Sequence, residues 1–231
     1  MQIKKKISYF VVKNIAYMNT SFVFDFMEQL LQNNNREWFH ANKSFYLQAK
    51  EEVENIIRVV GQKLVEIDPS VQGFTEPAQV LFRIYRDVRF SKDKQPYKTH
   101  FGCFFAPGGK SASSAGYYLH LEPKNTLVSG GLWCPQPPVL KKVRQEIFYN
   151  TGDFLQILNA PAFKTFFPQL DENEMLQRIP TGFPTDFEHG HLLRHKHYTV
   201  SAPLPEDFSI PRVMEMFEAL KPFISFLNVK D

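Results

Sequence analysis

The chain has 231 residues, of which 43% are hydrophobic and 22% charged, a composition that excludes a disordered tail, a collagen-like rod and a coiled coil. Its 27 basic residues against 24 acidic ones give a net charge of +3, so total charge does not indicate nucleic-acid binding. Two cysteines are too few for a secreted disulfide scaffold, and no apolar run approaches the ~18 residues of a membrane span. We therefore predict a cytoplasmic protein with no membrane partner.

The N-terminal part of the chain predicts helices. A short apolar helix ends at the asparagines of residues 33–35, and a long amphipathic helix covers residues 42–68. Because these signals begin just after Met18, residues 1–17 are interpreted as an N-terminal extension and residues 18–231 as one α+β domain. The sequence leaves open whether the first methionine or Met18 is the start.

The middle of the chain changes to a pattern rich in aromatic and β-branched residues, with turn residues between the segments. The predicted strands are residues 80–90, 99–106, 117–121 and 126–132, with an edge strand at 195–201. Further helices are predicted from the prolines at 137–138 and near Asp153, Pro161 and Pro211. This order predicts an α+β fold, an antiparallel sheet of about four to six strands packed by N-terminal and C-terminal helices.

The positive charge is concentrated in residues 83–100, RIYRDVRFSKDKQPYKTH, which contain six basic and two acidic residues. Such a concentration attracts an anionic partner more strongly than the total charge indicates. In a strand, one face would carry Ile84, Arg86, Val88 and Phe90, and the other Arg83, Tyr85, Asp87 and Arg89. Two interpretations of the apolar-flanked Arg86 remain open, an internal ion pair that holds the sheet or a clamp for an anionic ligand.

The second half of this segment, SKDKQPYK (91–98), is predicted to be a turn. The Asp93 side chain can form hydrogen bonds with the nearby main chain. Lys94 and Lys98 are expected at its rim, beside Tyr97. Asp87 and Asp93 are candidates for a general acid or base, provided that burial or neighbouring charges shift the pKa of one of them. The alternative is a solvated charged turn without a ligand.

Several motifs together resemble a known family. They are NNNREWF (33–39), RIYRDVRFSKDKQPYKTH (83–100), YYLHLEP (117–123), GGLW (130–133) and RIPTGF (178–183). Over about residues 20–228 the chain is similar to the family called Domain of Unknown Function 2461. The resemblance implies no particular reaction, substrate or cofactor, so these stay open.

A second candidate region is the end of the strand at residues 126–132. Gly131 allows a close backbone approach by a ligand or by another strand, and Trp133 and Arg144 lie near it in sequence. Arg144, on the following helix, is a further candidate anion contact that would complete a pocket begun by residues 83–100. The alternative is a tight bend packed by Trp133.

Two other patterns are interpreted without a ligand. The two H-x-H pairs consist of His189, His191, His195 and His197. They lack an accompanying set of acids or cysteines, so we predict a hydrated loop and no metal site. The segment GGKS (108–111) imitates a phosphate loop, but it lies between predicted strands and lacks the first glycine.

The leading functional hypothesis is a protein that binds or acts on a phosphorylated or otherwise anionic small molecule. The anion would be held by Arg83, Arg86, Arg89, Lys94 and Lys98. The rival is a nucleic-acid-binding module in which Tyr85, Phe90 or Tyr97 stacks on bases. A third hypothesis is a structural or interaction protein in which residues 83–100 form an internal ion network. Whether the protein is an enzyme stays open.

Overall fold

The computed structural model describes residues 20–229, and the predicted extension of residues 1–17 lies outside the described part. The helices before the sheet are α1 (Ser21–Gln32), α2 (Arg36–Ala41), α3 (Lys43–Ile67) and α4 (Pro77–Val80), with a 3-10 turn at Pro69–Val71. Asn35 caps α2, since its side-chain oxygen accepts a hydrogen bond of 2.9 Å from the Trp38 backbone N–H. The helices predicted for this part of the chain are confirmed.

A four-stranded antiparallel sheet forms the centre of the fold, in the spatial order β1-β2-β3-β4. Its strands are β1 (Phe101–Phe105), β2 (Gly116–Leu121), β3 (Leu127–Leu132) and β4 (Tyr198–Pro203). Each strand pairs with the next one in sequence, so β4 lies at an edge, as predicted. In the register of the first pair, Phe101 lies opposite Leu121 and Gly102 lies opposite His120.

Further helices separate β3 from β4 and end the described chain. They are α5 (Pro137–Tyr149), α6 (Thr151–Asn159), α7 (Pro161–Phe166), α8 (Gly190–Leu193) and α9 (Ile210–Leu227). Contrary to the usual effect of an internal proline, α9 continues past Pro222. The buried side chains of Phe223, Ile224 and Leu227 hold the last turns against the core, which outweighs the lost backbone hydrogen bond.

One face of the sheet packs against α3 and α9, and the other face is partly open. Phe101, Cys103 and Phe105 of β1 are all buried on the packed face. Gly130 lets α9 approach β3 closely, because a Cβ at this position would lie 2.7 Å from Leu220 Cδ1. The open face carries Phe104, Tyr118, His120, Ser129 and Ser201, which are half-buried or exposed.

Residues 80–90 do not form the predicted strand. Leu81 makes an isolated bridge to Cys103 of β1, and Tyr85 makes another to Tyr97. The segment thus changes its partner from β1 to its own returning chain, and neither pairing is long enough for a strand. Phe90, expected on an apolar face, is instead 95% exposed.

The predicted α+β class is confirmed, and the four strands lie at the lower limit of the predicted number. Helices pack against the sheet from both the N-terminal and the C-terminal parts of the chain. Within residues 20–229, no helix combines the length and the apolar character needed to cross a membrane.

Candidate functional site

The six basic residues of segment 83–100 lie on an irregular loop, residues 82–98, which we call the basic hairpin. Its two sides are joined by backbone hydrogen bonds from Arg86 to Pro96, at 2.9 Å, and from Lys98 to Ile84, at 2.8 Å. These bonds hold the base of the loop in a fixed geometry, and the chain enters β1 directly after it.

Tyr97 fixes the base of the basic hairpin to the helices. Its ring is 3% exposed and stacks on Phe39 of α2 with a centroid distance of 3.9 Å. The Asn34 side chain accepts from the Tyr97 backbone N–H at 3.1 Å and donates to its carbonyl at 3.0 Å. The structure therefore places this predicted ligand contact in the core, where it anchors the loop.

The tip of the basic hairpin, residues 86–94, contains acids that pair with its own basic residues. An Arg86 guanidinium nitrogen donates to Asp93. Arg89 contacts both carboxylate oxygens of Asp87, at 2.9 Å from Nε and 2.6 Å from Nη2. Arg86 therefore has an ion-pair partner, but the pair lies within the loop and does not hold the sheet.

The aspartates of the tip are poorly suited to act as an acid or a base. The Arg89 side chain, followed by its backbone N–H, lowers the pKa of Asp87. A hydrogen bond from the Gln95 backbone, followed by one from Arg86, lowers the pKa of Asp93. The opposite shift favours a general acid or base that works near neutral pH, and the hydrogen bonds of both carboxylates hold the turn.

The remaining basic residues differ in whether their charged ends form a hydrogen bond or an ion pair with another group of the chain. Lys94 lies at the tip and donates to the Val88 carbonyl at 3.0 Å. Lys98 is half-buried, and its ammonium lies 5.4 Å from the centre of the Phe82 ring. Desolvation, and then the nearby Arg83, lower the pKa of Lys98. In the described part of the chain, neither Lys98 nor Arg83 forms an ion pair with a carboxylate.

The pairing of β1 with β2 gathers His100, His120 and Glu122 next to Lys98. Because Phe101 lies opposite Leu121 on the packed face, the flanking His100 and Glu122 belong to the open face. One ligand atom from each of the three residues lies within 4.8 Å of the others. None of the three is among the site residues predicted from the sequence. The alternation of His120 and Glu122 at the end of the predicted strand of residues 117–121 is the sequence signal for two of them.

Hydrogen bonds fix the orientation of this cluster. The Tyr118 hydroxyl lies 2.9 Å from His120 Nδ1, and the opposite ring nitrogen, Nε2, lies 3.1 Å from Glu122 Oε2. Glu122 also accepts hydrogen bonds of 2.8 Å from the side chains of Thr99 and Asn125. Three neighbouring polar groups, together with the His120–Glu122 hydrogen bond, thus hold the two side chains in place on the open face.

Gly102 makes room for this arrangement. It lies opposite His120 in the register, and a Cβ there would lie 2.6 Å from the Tyr118 hydroxyl oxygen. Only a residue without a side chain allows the Tyr118 phenol to extend over β1 and reach the imidazole.

The surroundings favour the neutral imidazole of His100 and the ionised carboxylate of Glu122. Desolvation, and then the neighbouring His120, lower the pKa of His100 to about 4. Burial alone would raise the pKa of Glu122, but hydrogen bonds from Asn125, His120 and Thr99 outweigh it, and the net shift is downward.

The cluster adjoins both the basic hairpin and a surface groove. Lys98 and Arg86 lie near enough to His100 to contribute to the lowering of its pKa. A groove of about 400 Å³ runs along the start of β3 and the end of β4. Asn125, which lines it, donates to Glu122, so the cluster and the groove share a wall.

Gly131 lies at the opposite end of the sheet. It pairs with Gly116, whereas His120 pairs with Leu127 at the other end of the same two strands. Its φ is +125°, and a Cβ there would lie 2.0 Å from the Tyr198 carbonyl oxygen, so the glycine serves the close approach of β4. The structure does not bring this region together with the basic hairpin.

Trp133 and Arg144 lie at that far end and contact the chain itself. Trp133 is exposed and stacks on His197 with a centroid distance of 4.4 Å. Arg144 Nη2 donates to the His195 carbonyl at 2.8 Å. These contacts join α5 and the segment after β3 to the residues that precede β4.

The histidines of residues 189–197 do not form one polar loop, contrary to the prediction. His195 and His197 are buried, and His197 Nδ1 accepts a hydrogen bond of 3.0 Å from the Cys134 backbone N–H. Within residues 20–229, the group of His, Cys, Asp or Glu side chains whose ligand atoms lie within 4.8 Å of one another is instead His100, His120 and Glu122.

Comparison with known proteins agrees with the resemblance in the sequence. The model of the family described as "Conserved hypothetical protein (DUF2461)" matches residues 22–226, which include the basic hairpin, the whole sheet and most of α9. A search of curated proteins and a search of solved structures each gave no match. Because the family model spans most of the chain, the protein belongs to the family described as conserved hypothetical protein DUF2461.

Proposed function

We propose that the protein binds a phosphorylated or otherwise anionic small molecule on the open sheet face, between Lys98 and the cluster of His100, His120 and Glu122. The observation that carries the proposal is the half-buried Lys98 ammonium, which has Arg83 as a neighbour. In the described part of the chain it has no carboxylate partner. A desolvated cation beside a like charge is unfavourable, and a bound anion would remove much of that cost.

The predicted anion contacts contribute unequally to this site. Lys98 and Arg83 are its main contacts, and Arg86, although paired with Asp93, lies near enough to His100 to add a small positive potential. Arg89 and Lys94 are engaged at the tip and play no part in it. The groove that adjoins the cluster supplies space for the uncharged part of the molecule.

Calorimetry and thermal unfolding with pyrophosphate, sugar phosphates and nucleotides test this proposal, in the presence of a chelator. A ligand that binds only the folded state, at a free concentration of about 100 times its Kd, adds ~2.7 kcal/mol to the free energy of unfolding. We expect such stabilisation for at least one compound, and its loss in Lys98→Gln. The matched control is Lys63→Gln, which removes an exposed lysine on α3. Equal binding by both variants, or no effect of any anion, would overturn the proposal.

A nucleic-acid-binding module is the second candidate, and the exposed Phe90 ring favours it. Phe90 and Tyr85 are accessible for stacking, next to Arg89 and Lys92, whereas Tyr97 is buried. Fluorescence anisotropy with single-stranded oligonucleotides separates the candidates. Nucleic-acid binding must weaken steeply with salt, and Phe90→Ala must weaken it by ~1–3 kcal/mol if the ring stacks on a base.

The third hypothesis, a structural or interaction protein, draws support from the Arg86–Asp93 and Arg89–Asp87 pairs, in which basic residues of the loop bind acids of the same loop. It predicts that no anion or oligonucleotide stabilises the fold. It also predicts that Arg86→Ala impairs folding while Lys98→Gln has no effect on any binding measurement.

A further inference from the structure

We propose that His100, His120 and Glu122 form a binding site for a divalent transition-metal ion, with zinc as the preferred ion. The site lies beside the proposed anion site but does not depend on it, because its test uses the metal alone. The cluster combines three features that a metal site requires, namely converging donor atoms, fixed ligand orientation and a suitable donor set.

The spacing of the donor atoms suits a single ion. Zinc bonds of ~2.1 Å in a tetrahedral arrangement place ligand atoms about 3.4 Å apart. His120 Nε2 and Glu122 Oε2 are 3.1 Å apart, and the donor atom of His100 lies within 4.8 Å of both. An ion can therefore replace the His120–Glu122 hydrogen bond with only small movements of the side chains.

The neighbours of the cluster act as a metal site's supporting residues do. A metal-binding histidine usually has its second ring nitrogen bonded to a polar group, which fixes the orientation of the ring. The Tyr118 hydroxyl occupies this position at His120 Nδ1, and it leaves Nε2 directed at Glu122. Thr99 and Asn125 hold the carboxylate in the same way.

The donor set decides the class of metal. Two imidazoles and one carboxylate suit zinc, iron, cobalt or nickel, whereas magnesium and calcium prefer sets made of oxygen atoms. Three protein ligands leave at least one position of the ion free for a small molecule. All three residues are half-buried, so the ion would be reachable from the open face.

The positive charges nearby oppose the ion but favour an anion beside it. Lys98 and Arg86 act on His100 through space, and both would repel a bound cation. An anion that bridges the ion and Lys98 would cancel this repulsion. We therefore expect the metal to bind alone, and to bind more tightly when the anionic ligand is present.

Titration of chelator-treated protein with Co²⁺, followed by its visible absorption bands, and calorimetry with Zn²⁺ test the site. We expect one ion per chain. Glu122→Gln and His120→Ala are each expected to lower the affinity at least ~100-fold, and Tyr118→Phe about 10-fold, as for supporting residues of other metal sites.

The double variant His189→Ala/His191→Ala is the matched control, because it removes two histidines that lie outside the cluster, and it should bind as the native protein does. Circular dichroism and melting temperature without metal show whether each variant folds, and His100→Asn replaces any variant that does not. Absence of saturable binding to the native protein, or binding that survives in the cluster variants and disappears in the control, would overturn the proposal. Metal binding without anion binding would retain this site and reject only the proposed function.

Discussion

The tip of the basic hairpin and the sheet end next to it carry the same kinds of charge in different surroundings. At the tip, Arg86 and Arg89 each contact an aspartate of the same loop, and the Arg89 side chain is 77% exposed. At the sheet end, Lys98 is half-buried beside an aromatic ring and a like charge. Desolvation and the distance to the nearest acid, rather than the number of basic residues, separate a solvated loop from a candidate binding site.

The largest expected difference between the two regions is in the free energy of unfolding, when one aromatic ring is removed from the base of the basic hairpin or from its tip. Tyr97→Ala removes the buried ring that stacks on Phe39, and should lower the free energy of unfolding by about 3–5 kcal/mol. Phe90→Ala, the control at the tip, should change it by less than ~0.5 kcal/mol because this ring is exposed. Urea unfolding measures both. Similar losses for the two variants would show that the tip, too, is packed.

A smaller effect is expected at the sheet end from Gly102→Ala. The new Cβ would lie 2.6 Å from the Tyr118 hydroxyl, so the phenol must move away from His120, at a cost of about 1–3 kcal/mol. Gly152→Ala is the control, since a Cβ on that helical glycine meets nothing within 4 Å. It should be neutral or stabilise by up to ~1 kcal/mol. If both substitutions are neutral in thermal unfolding, Gly102 does not have the role assigned to it.

The smallest effect is a response of the tip to acid. The pKa values of Asp87 and Asp93 are lowered in the folded chain, so the unfolded state binds protons first as the pH falls. The contribution of these carboxylates is complete above the ordinary aspartate pKa of ~3.9 and is lost as the pH falls through the lower folded values.

Amide hydrogen exchange should detect this change as a loss of protection, relative to an unfolded chain at the same pH, at Arg89 and Gln95 as the pH falls through the folded pKa values. Tyr97 should stay protected by Asn34. Asp93→Asn keeps an acceptor for the Gln95 N–H but removes the titration, and should abolish the pH dependence at Gln95. An equal acceleration at Tyr97 would mean that the tip and the base open together.

Local patterns in the sequence are sufficient to predict most of the fold. The spacing of apolar residues predicts α3, and Asn35 predicts the start of α2, because both depend on contacts within a few residues. Alternation and turn residues predict β2 and β3. The segment of residues 80–90 has the composition of a strand but lacks a continuous partner, and composition does not reveal partners.

The candidate site is predicted only in part, for the same reason. The sequence draws attention to the basic residues, but it does not show that Arg86 pairs with Asp93 within one turn. Nor does it show that Lys98 has no carboxylate partner among residues 20–229. His100 and Glu122 are far apart in sequence and meet only through the register of β1 and β2. The more numerous histidines of residues 189–197 attract attention first, although the structure buries His195 and His197 in its interior.

The central claim, that the sheet end and not the tip receives an anion, is tested most directly by calorimetry with pyrophosphate on three proteins: native, Lys98→Gln and Arg89→Gln. We predict that Lys98→Gln weakens binding by at least about tenfold, equivalent to ~1.4 kcal/mol, and that Arg89→Gln leaves it unchanged. If Arg89→Gln weakens binding as much as Lys98→Gln, or if neither variant differs from the native protein, the claim is contradicted.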